Sequence, residues 1–290
     1  MVYSSILREG SFAGETHVVT GGGSGIGRCV AHELASLGAH VVITGRRQEK
    51  LDAVVAEIAE DGGSASARAF DIRDEDAVRA AVTAIVADRG IIHGLVNNAG
   101  GQFPAPLGAI TRKGFDTVVA NNLTGGFLVM REVHAQSMRE HGGAIVNMAA
   151  DMWRGMPGMA HSGAARAGMV NLTKTAAYEW GGDGVRVNCV APGWIASSGM
   201  DTYEGPTKAL IPQLKRHVPL GRIGLEAEVS AVICFLLSRA AAFVTGVTVP
   251  IDGGVPLGSA IYPVQSRRVS QPFDGYHRAV TPKVLGGDGT

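Results

Sequence analysis

From Thr16 to about Asp252, short apolar runs alternate with stretches in which apolar residues recur every three or four positions. The runs at 16–20, 39–44, 66–70, 94–96, 144–148, 185–190 and 247–251 predict strands. The stretches at 28–37, 48–60, 74–88, 113–140, 164–180 and 226–238 predict helices. Such alternation builds βαβ units, so the expected fold is α/β, a doubly wound parallel sheet in a single domain. Two sections break the rhythm. Residues 192–221 form a long connection after the sixth strand, and a substrate lid is expected there, at about 194–221. The stretch after 262 holds Pro263, Pro272, Pro282 and several glycines. The expected organisation is a domain over 1–262 and an extended tail over 263–290, packed on a neighbouring subunit or without order.

Composition narrows the function classes. A chain of 290 residues, 46% hydrophobic, can bury one large core. Lys+Arg and Asp+Glu both number 26, so nothing electrostatic favours nucleic acid or an anionic membrane as partner. Cys29, Cys189 and Cys234 are far apart and lack metal-ligand spacing, so no metal is expected and buried thiols are. Residues 1–14 carry no apolar signal core, no run approaches 18 apolar residues, and the last residues are no peroxisomal address. A cytoplasmic protein with a small-molecule substrate is the expectation.

The chemistry starts at Thr20-Gly21-Gly22-Gly23-Ser24-Gly25-Ile26-Gly27, between a predicted strand and a predicted helix. Residues without Cβ let the backbone approach a pyrophosphate, and the helix start presents free N–H groups and a positive dipole end. Gly21, Ser24, Gly25, Ile26 and Gly27 are the candidate phosphate loop of a dinucleotide site. The second strand ends in Thr44-Gly45-Arg46-Arg47, where a carboxylate would select NAD. Two arginines suit a 2′-phosphate, which points to NADP(H); alternatively they open a solvated helix.

Thr20-Gly21-x-x-x-Gly25-Ile26-Gly27 together with Asn97-Asn98-Ala99-Gly100 resembles the short-chain dehydrogenase/reductase family, over roughly residues 12–254. The resemblance implies a Rossmann-type sheet of seven parallel strands and a homo-tetramer joined through the 113–140 and 164–180 helices. It also implies that Asp71, with Ile72, meets the adenine. Asn98, Ala99 and Gly100 would line the adenosine ribose. Pro192, Gly193 and Ile195 would fix the nicotinamide carboxamide.

The catalytic pattern departs from that family. Its carbonyl reductases use Asn, Ser, and Tyr-x-x-x-Lys. Asn122 fits the first position, but Ala149 or Ala150 stands at the serine. The downstream run Ala167 to Lys174 sets a register with Ser162 at the tyrosine and Arg166 at the lysine, one helical turn apart. The rival register, His161 with Ala165, leaves no cation and is rejected. An alkyl hydroxyl is a poor acid for an alkoxide. It can still donate to an enolate oxygen, the charge that develops when a C=C conjugated to a thioester accepts hydride. The run His161-Ser162-Gly163-Ala164-Ala165-Arg166, with Asn98 to Phe103 and Val232 to Ser238, resembles the trans-2-enoyl-CoA and 2,4-dienoyl-CoA reductases. NADPH-dependent reduction of an enoyl thioester is therefore implied, with Asn122, Ser162 and Arg166 in the site.

Asp151 is a further candidate acid, or a polar rim residue. Met148, Met152, Met156, Met159 and Trp153 offer an acyl wall or ordinary core, and Gln102 and Phe103 line the pocket by position. An alcohol or carbonyl dehydrogenase, for instance on a terpenoid alcohol, and a catalytically silent dinucleotide binder are the alternatives.

Overall fold

The computed structural model describes residues 2–257, 264 and 269–286. Seven strands form one sheet: β1 (Thr16–Thr20), β2 (His40–Gly45), β3 (Ser64–Ala69), β4 (Gly94–Asn97), β5 (Gly143–Met148), β6 (Val185–Pro192) and β9 (Thr248–Ile251). Their order is β3-β2-β1-β4-β5-β6-β9 and every pairing is parallel. The expected sheet is borne out. Order reverses between β1 and β4, which opens a crevice at the carboxyl ends of the strands where ligands of such sheets bind.

Both faces of the sheet are covered, so the strands are apolar at successive positions. Val19, Ile43, Val96 and Val146 face α1 (Gly25–Ser36), α2 (Gln48–Glu60) and α9 (Glu226–Leu237). Their neighbours Val18, Val42, Leu95 and Ile145 face the other layer, α3 (Glu75–Arg89), α5 (Gly125–Val133) and α7 (Ala160–Glu179). Cys29, Cys189 and Cys234 are buried and unpaired, as expected. Among the described residues no helix is long and apolar enough to cross a membrane.

The helix expected at 113–140 is α4 (Arg112–Val119), α5 and α6 (Arg139–His141), joined by π-helical turns at Ala120–Thr124 and His134–Met138. A π turn adds one residue per turn and often marks a functional position. The first holds Asn122. The helix expected from 164 begins instead at Ala160, which puts His161 and Ser162 in its first turn.

The connection after β6 is folded. A two-residue ladder, β7 (Ile195–Ala196) on β8 (Gly224–Leu225), closes its base. Short helices fill it: 3₁₀ turns Ser198–Thr202 and Ile211–His217, with α8 (Gly205–Leu210) between.

The described part of the tail runs without helix or strand over 269–282 and packs on its own chain. Tyr276 is buried against Tyr3, 5.6 Å between ring centroids, and the Arg28 guanidinium sits 5.5 Å over its ring. Arg278 pairs with Asp61 and Glu60 of α2 and its end at 2.8 and 2.9 Å. Farther on, the Lys283 and Val284 N–H groups donate to Asp201 of the connection after β6 at 3.1 and 3.0 Å. The expected boundary at 262–263 lies outside the described residues.

Candidate active site

The glycine run turns from β1 into α1. Gly21 has φ +68°, and a Cβ there would stand 2.9 Å from Asn98 Nδ2 and 3.0 Å from Ala99 Cα. At Gly27 a Cβ would stand 2.4 Å from the Gly21 carbonyl oxygen and 2.5 Å from Asn98 Nδ2. The cradle is braced from β4: Thr20 Oγ1 accepts from the Asn98 and Ala99 N–H groups at 2.9 Å, and Asn98 Nδ2 donates to the Thr20 carbonyl at 2.9 Å. Ser24, Gly25 and Ile26 open α1 with no side-chain cap, so its first N–H groups stay available to an anion.

Arg46 and Arg47 follow β2 and are exposed, and among the described residues neither has an ion-pair partner. Asp71 is tied to Arg73, whose backbone N–H donates to Oδ1 at 3.0 Å and whose guanidinium grips both oxygens. Sequence reasoning passed over Arg73. Ile72 is buried against Gly125. At the other end, the Gly193 N–H donates to the Ile251 carbonyl at 3.0 Å, and Ile195 is buried in β7. Pairing of Pro192 with Ile251 carries β6 two residues beyond its expected end.

The structure brings Asn122, Arg166 and Gly100 together. A Cβ on Gly100 would stand 2.4 Å from Asn122 Oδ1 and 2.9 Å from Arg166 Nη2. Asn122 spends its side chain on the backbone, donating to the Gly101 and Val118 carbonyls at 2.7 and 2.8 Å and accepting from the Gly101 N–H at 3.1 Å. Arg166 is 8% exposed; its Nη1 donates to the Met148 carbonyl at 2.6 Å, while its buried Nε has no partner. Burial pulls the guanidinium down to about 10, which leaves it charged at neutral pH. A buried cation with a spare donor asks for an acceptor. The glycine cradle and this spare donor together fit a dinucleotide.

Ser162, one turn before Arg166, is fully buried, and its hydroxyl donates to Gln102 Oε1 at 3.1 Å. His161 is fully buried too, but Nδ1 accepts the Ser162 N–H at 2.8 Å, which satisfies an orphan donor of the helix start. Its ring meets Phe103 edge-on at 4.5 Å, and its buried Nε2 has no hydrogen-bond partner among the described residues. Asp151 lies apart: its N–H donates to the Pro192 carbonyl at 3.0 Å, and no hydrogen bond joins it to Ser162 or Arg166. Burial, then repulsion by Asp252, pushes its carboxyl up. Three large apolar side chains stand exposed at the strand ends: Phe103 after β4, Trp153 after β5 and Trp194 after β6.

Glu226, the first residue of α9, also escaped the sequence reading. Its Oε1 lies 3.8 Å from where a Cβ on Gly25 would stand, beside the phosphate loop. Burial pushes this carboxyl up to about 7, with Arg28 pulling the other way. A raised carboxyl costs the folded chain nothing below the ordinary value of 4.5, and the cost grows as pH rises through about 7. Glu226→Gln is therefore expected to leave dinucleotide affinity unchanged at about pH 5.5. At about pH 8.5, where the wild-type carboxylate carries charge beside the glycine run, it should tighten affinity by about fivefold or more. Fluorescence titration at both pH values checks this, and an equal gain at both would contradict it.

Comparison with known proteins agrees with this geometry. The sequence model of the family described as Enoyl-(Acyl carrier protein) reductase matches residues 21–256. The chain is 34% identical to a peroxisomal 2,4-dienoyl-CoA reductase of Danio rerio over 262 residues, 89% of this chain and 87% of that one. It is 37% identical to the gluconate 5-dehydrogenase of Gluconobacter oxydans over 246 residues, 84% of this chain and 96% of that one. Among solved structures, a citronellol catabolism dehydrogenase of Pseudomonas aeruginosa is 62% identical, with TM-score 0.80, over 87% of this chain and 99% of that one. A chain of Beutenbergia cavernae, described as an NAD(P)-dependent gluconate 5-dehydrogenase with bound NADP at low occupancy, is 34% identical with TM-score 0.79, over 87% of this chain and all of that one. Cradle, sheet order and these likenesses together make the chain a member of the short-chain dehydrogenase/reductase family, oxidoreductases that bind a nicotinamide dinucleotide.

Proposed function

We propose that the chain reduces the C=C of a trans-2-enoyl thioester with NADPH. The observation that carries the reading is the hydroxyl of Ser162, buried one helical turn from Arg166 where carbonyl reductases of the family keep a phenol. Reduction of a ketone or aldehyde needs a proton on oxygen in the same step, and a serine hydroxyl is too weak an acid to supply it. An enolate oxygen needs donors around it instead, which Ser162 provides.

The bound dinucleotide supplies the hydride. Arg166 would hold the ribose hydroxyls and supply positive charge at the nicotinamide end of the site. Asn122 fixes the Gly101 backbone and keeps the wall of the site in place. Phe103, Trp153 and Trp194 offer the acyl chain an apolar rim. Arg46 and Arg47, exposed and unpaired, favour the 2′-phosphate of NADPH.

A second reading is favoured by the 62% identity to the citronellol catabolism dehydrogenase: oxidation of an acyclic terpenoid alcohol, with Asp151, its carboxyl raised, as base. Cofactor absorbance followed with crotonyl-, hexenoyl- and dodecenoyl-CoA, with NADPH and NADH, against citronellol and simple ketones, separates the two. The expected result is enoyl reduction with NADPH preferred. Turnover of citronellol or ketones alone would overturn it, and no turnover anywhere would indicate a silent binder.

A further inference from the structure

The side chain that covers Ser162 carries the reading of the site one step further. Gln102 stands on the loop after β4 and is itself exposed, yet its carboxamide bridges two hydroxyls. Ser162 Oγ donates to its Oε1 at 3.1 Å, and its Nε2 donates to Tyr203 Oη at 3.3 Å. Because Ser162 has no exposed surface beneath this amide, a substrate oxygen reaches it only when the Gln102 side chain leaves. What occupies the place meanwhile is instructive. A carboxamide and a thioester carbonyl are both planar, with an oxygen and two further substituents on one sp² carbon. If Oε1 marks the carbonyl oxygen, Nε2 marks one of the other two substituents, the sulfur or the α-carbon. A phenol stands 3.3 Å from that position.

We propose that Tyr203 is the proton donor of the reaction: its Oη delivers the proton to the α-carbon of the thioester, and Gln102 holds the carbonyl's place until substrate arrives. The proposal rests on the enoyl-thioester reading given above. Hydride received at the β-carbon breaks the C=C π bond and sends its electron pair to the thioester oxygen, where Ser162 donates. When the carbonyl re-forms, that pair makes a C–H bond at the α-carbon as the Tyr203 O–H bond breaks. The phenolate left behind takes a proton from water at the exposed edge of the lid, so the step needs no further reagent.

The other described groups are placed less well for this task. Tyr3 and Tyr276 are packed against each other in the tail seam, and Tyr178 is 90% exposed at the end of α7. Tyr262 lies outside the described residues. His161 accepts the Ser162 N–H at Nδ1 and has no hydrogen bond to Gln102 or Tyr203, and no hydrogen bond joins the Asp151 carboxyl to Ser162 or Gln102. Tyr203 is also steadied from behind. Asp201, two residues earlier, accepts the Lys283 and Val284 N–H groups, which ties this part of the lid to the tail.

The test uses the full chain with NADPH and crotonyl-CoA, comparing the wild type with Tyr203→Phe and Gln102→Ala. Tyr203→Phe is expected to lower kcat about 100-fold, the low end of what a positioned acid contributes, with KM little changed. A qualitative signature accompanies it. In D₂O the wild type should set deuterium on one face of C2, whereas the phenylalanine chain, drawing its proton from water, should label both faces. Calorimetry on the chain without cofactor adds a readout free of turnover. Gln102→Ala is expected to bind crotonyl-CoA about fivefold more tightly, because the hydrogen bonds that held the plug, worth about 1 kcal/mol net, no longer have to be broken. Tyr203→Phe, which loses only the bond from Gln102 Nε2, should bind it no more weakly than the wild type and less tightly than Gln102→Ala. A wild type inert toward every enoyl thioester overturns the functional reading and this proposal together. An active wild type beside a Tyr203→Phe chain with kcat within twofold and one labelled face overturns the role of Tyr203 alone. Weaker binding by Gln102→Ala overturns the stand-in role of the amide.

Discussion

Arg166→Met is expected to lower kcat/KM by roughly 100- to 1000-fold, the range seen when a donor aimed at developing charge is removed. The same change should leave the melting temperature where it is or raise it. The guanidinium is 8% exposed, makes one hydrogen bond to the Met148 carbonyl, and keeps a buried Nε–H without a partner. Such a cation costs folding free energy, and an apolar side chain of similar volume removes that cost. Opposite movement of activity and stability is what separates a residue kept for chemistry from one kept for packing. Steady-state kinetics with a thermal melt of the same preparation reads both. A variant that melts well below the wild type would mean that the bond to Met148 holds the structure together and that the charge is structural.

Gly27→Ala should be among the most damaging single methyls at the described glycines. Its Cβ would stand 2.4 Å from the Gly21 carbonyl oxygen and 2.5 Å from Asn98 Nδ2, and backbone cannot step aside as a flexible side-chain end can. Relief requires either the phosphate loop or the Asn98 brace to move, at about 3 kcal/mol, the upper range for overpacking. The melting temperature is then expected to fall by roughly 9 °C, at about 3 °C per kcal/mol for a domain of this size. Dinucleotide affinity should fall about 100-fold, two factors of ten at 1.4 kcal/mol each, because the displaced loop no longer admits a pyrophosphate. Gly181→Ala is the control: nothing lies within 4 Å of its would-be Cβ, and it should change neither quantity. Retained affinity in Gly27→Ala would mean that the loop tolerates displacement and that the cradle is not where the phosphates sit.

The parts of the molecule governed by local pattern were readable in advance. β1 and α2 begin and end where their apolar periods do, and the glycine run between β1 and α1 told of its own function through the absence of Cβ atoms. Where pairing rather than propensity sets the limits, reading slipped. β3 lies at Ser64–Ala69 instead of 66–70, because its small residues are held in register by His40–Gly45 of β2 and not by the apolar pull of Phe70. α7 starts four residues before its expected first residue, since the His161 ring satisfies an N–H that would otherwise argue against a helix there. The π turn at Asn122 leaves no trace in a 3.6-residue period. Ser162 and Arg166 were found through the family resemblance, in the register that the Ala167 to Lys174 run sets. Gln102 and Tyr203, 101 residues apart in sequence, meet only through the fold. Glu226 reaches the phosphate loop in the same way, across the α1–α9 contact.

Tyr276 covers Cys29 and Ala227 from the far end of the chain, together with Tyr3 from the near end. The helix that opens on the glycine run is thus finished by residues far from it along the chain. A chain cut short of Tyr276 keeps every glycine of that run but leaves one flank of α1 bare. Such a cut is expected to loosen the loop without touching any residue in it.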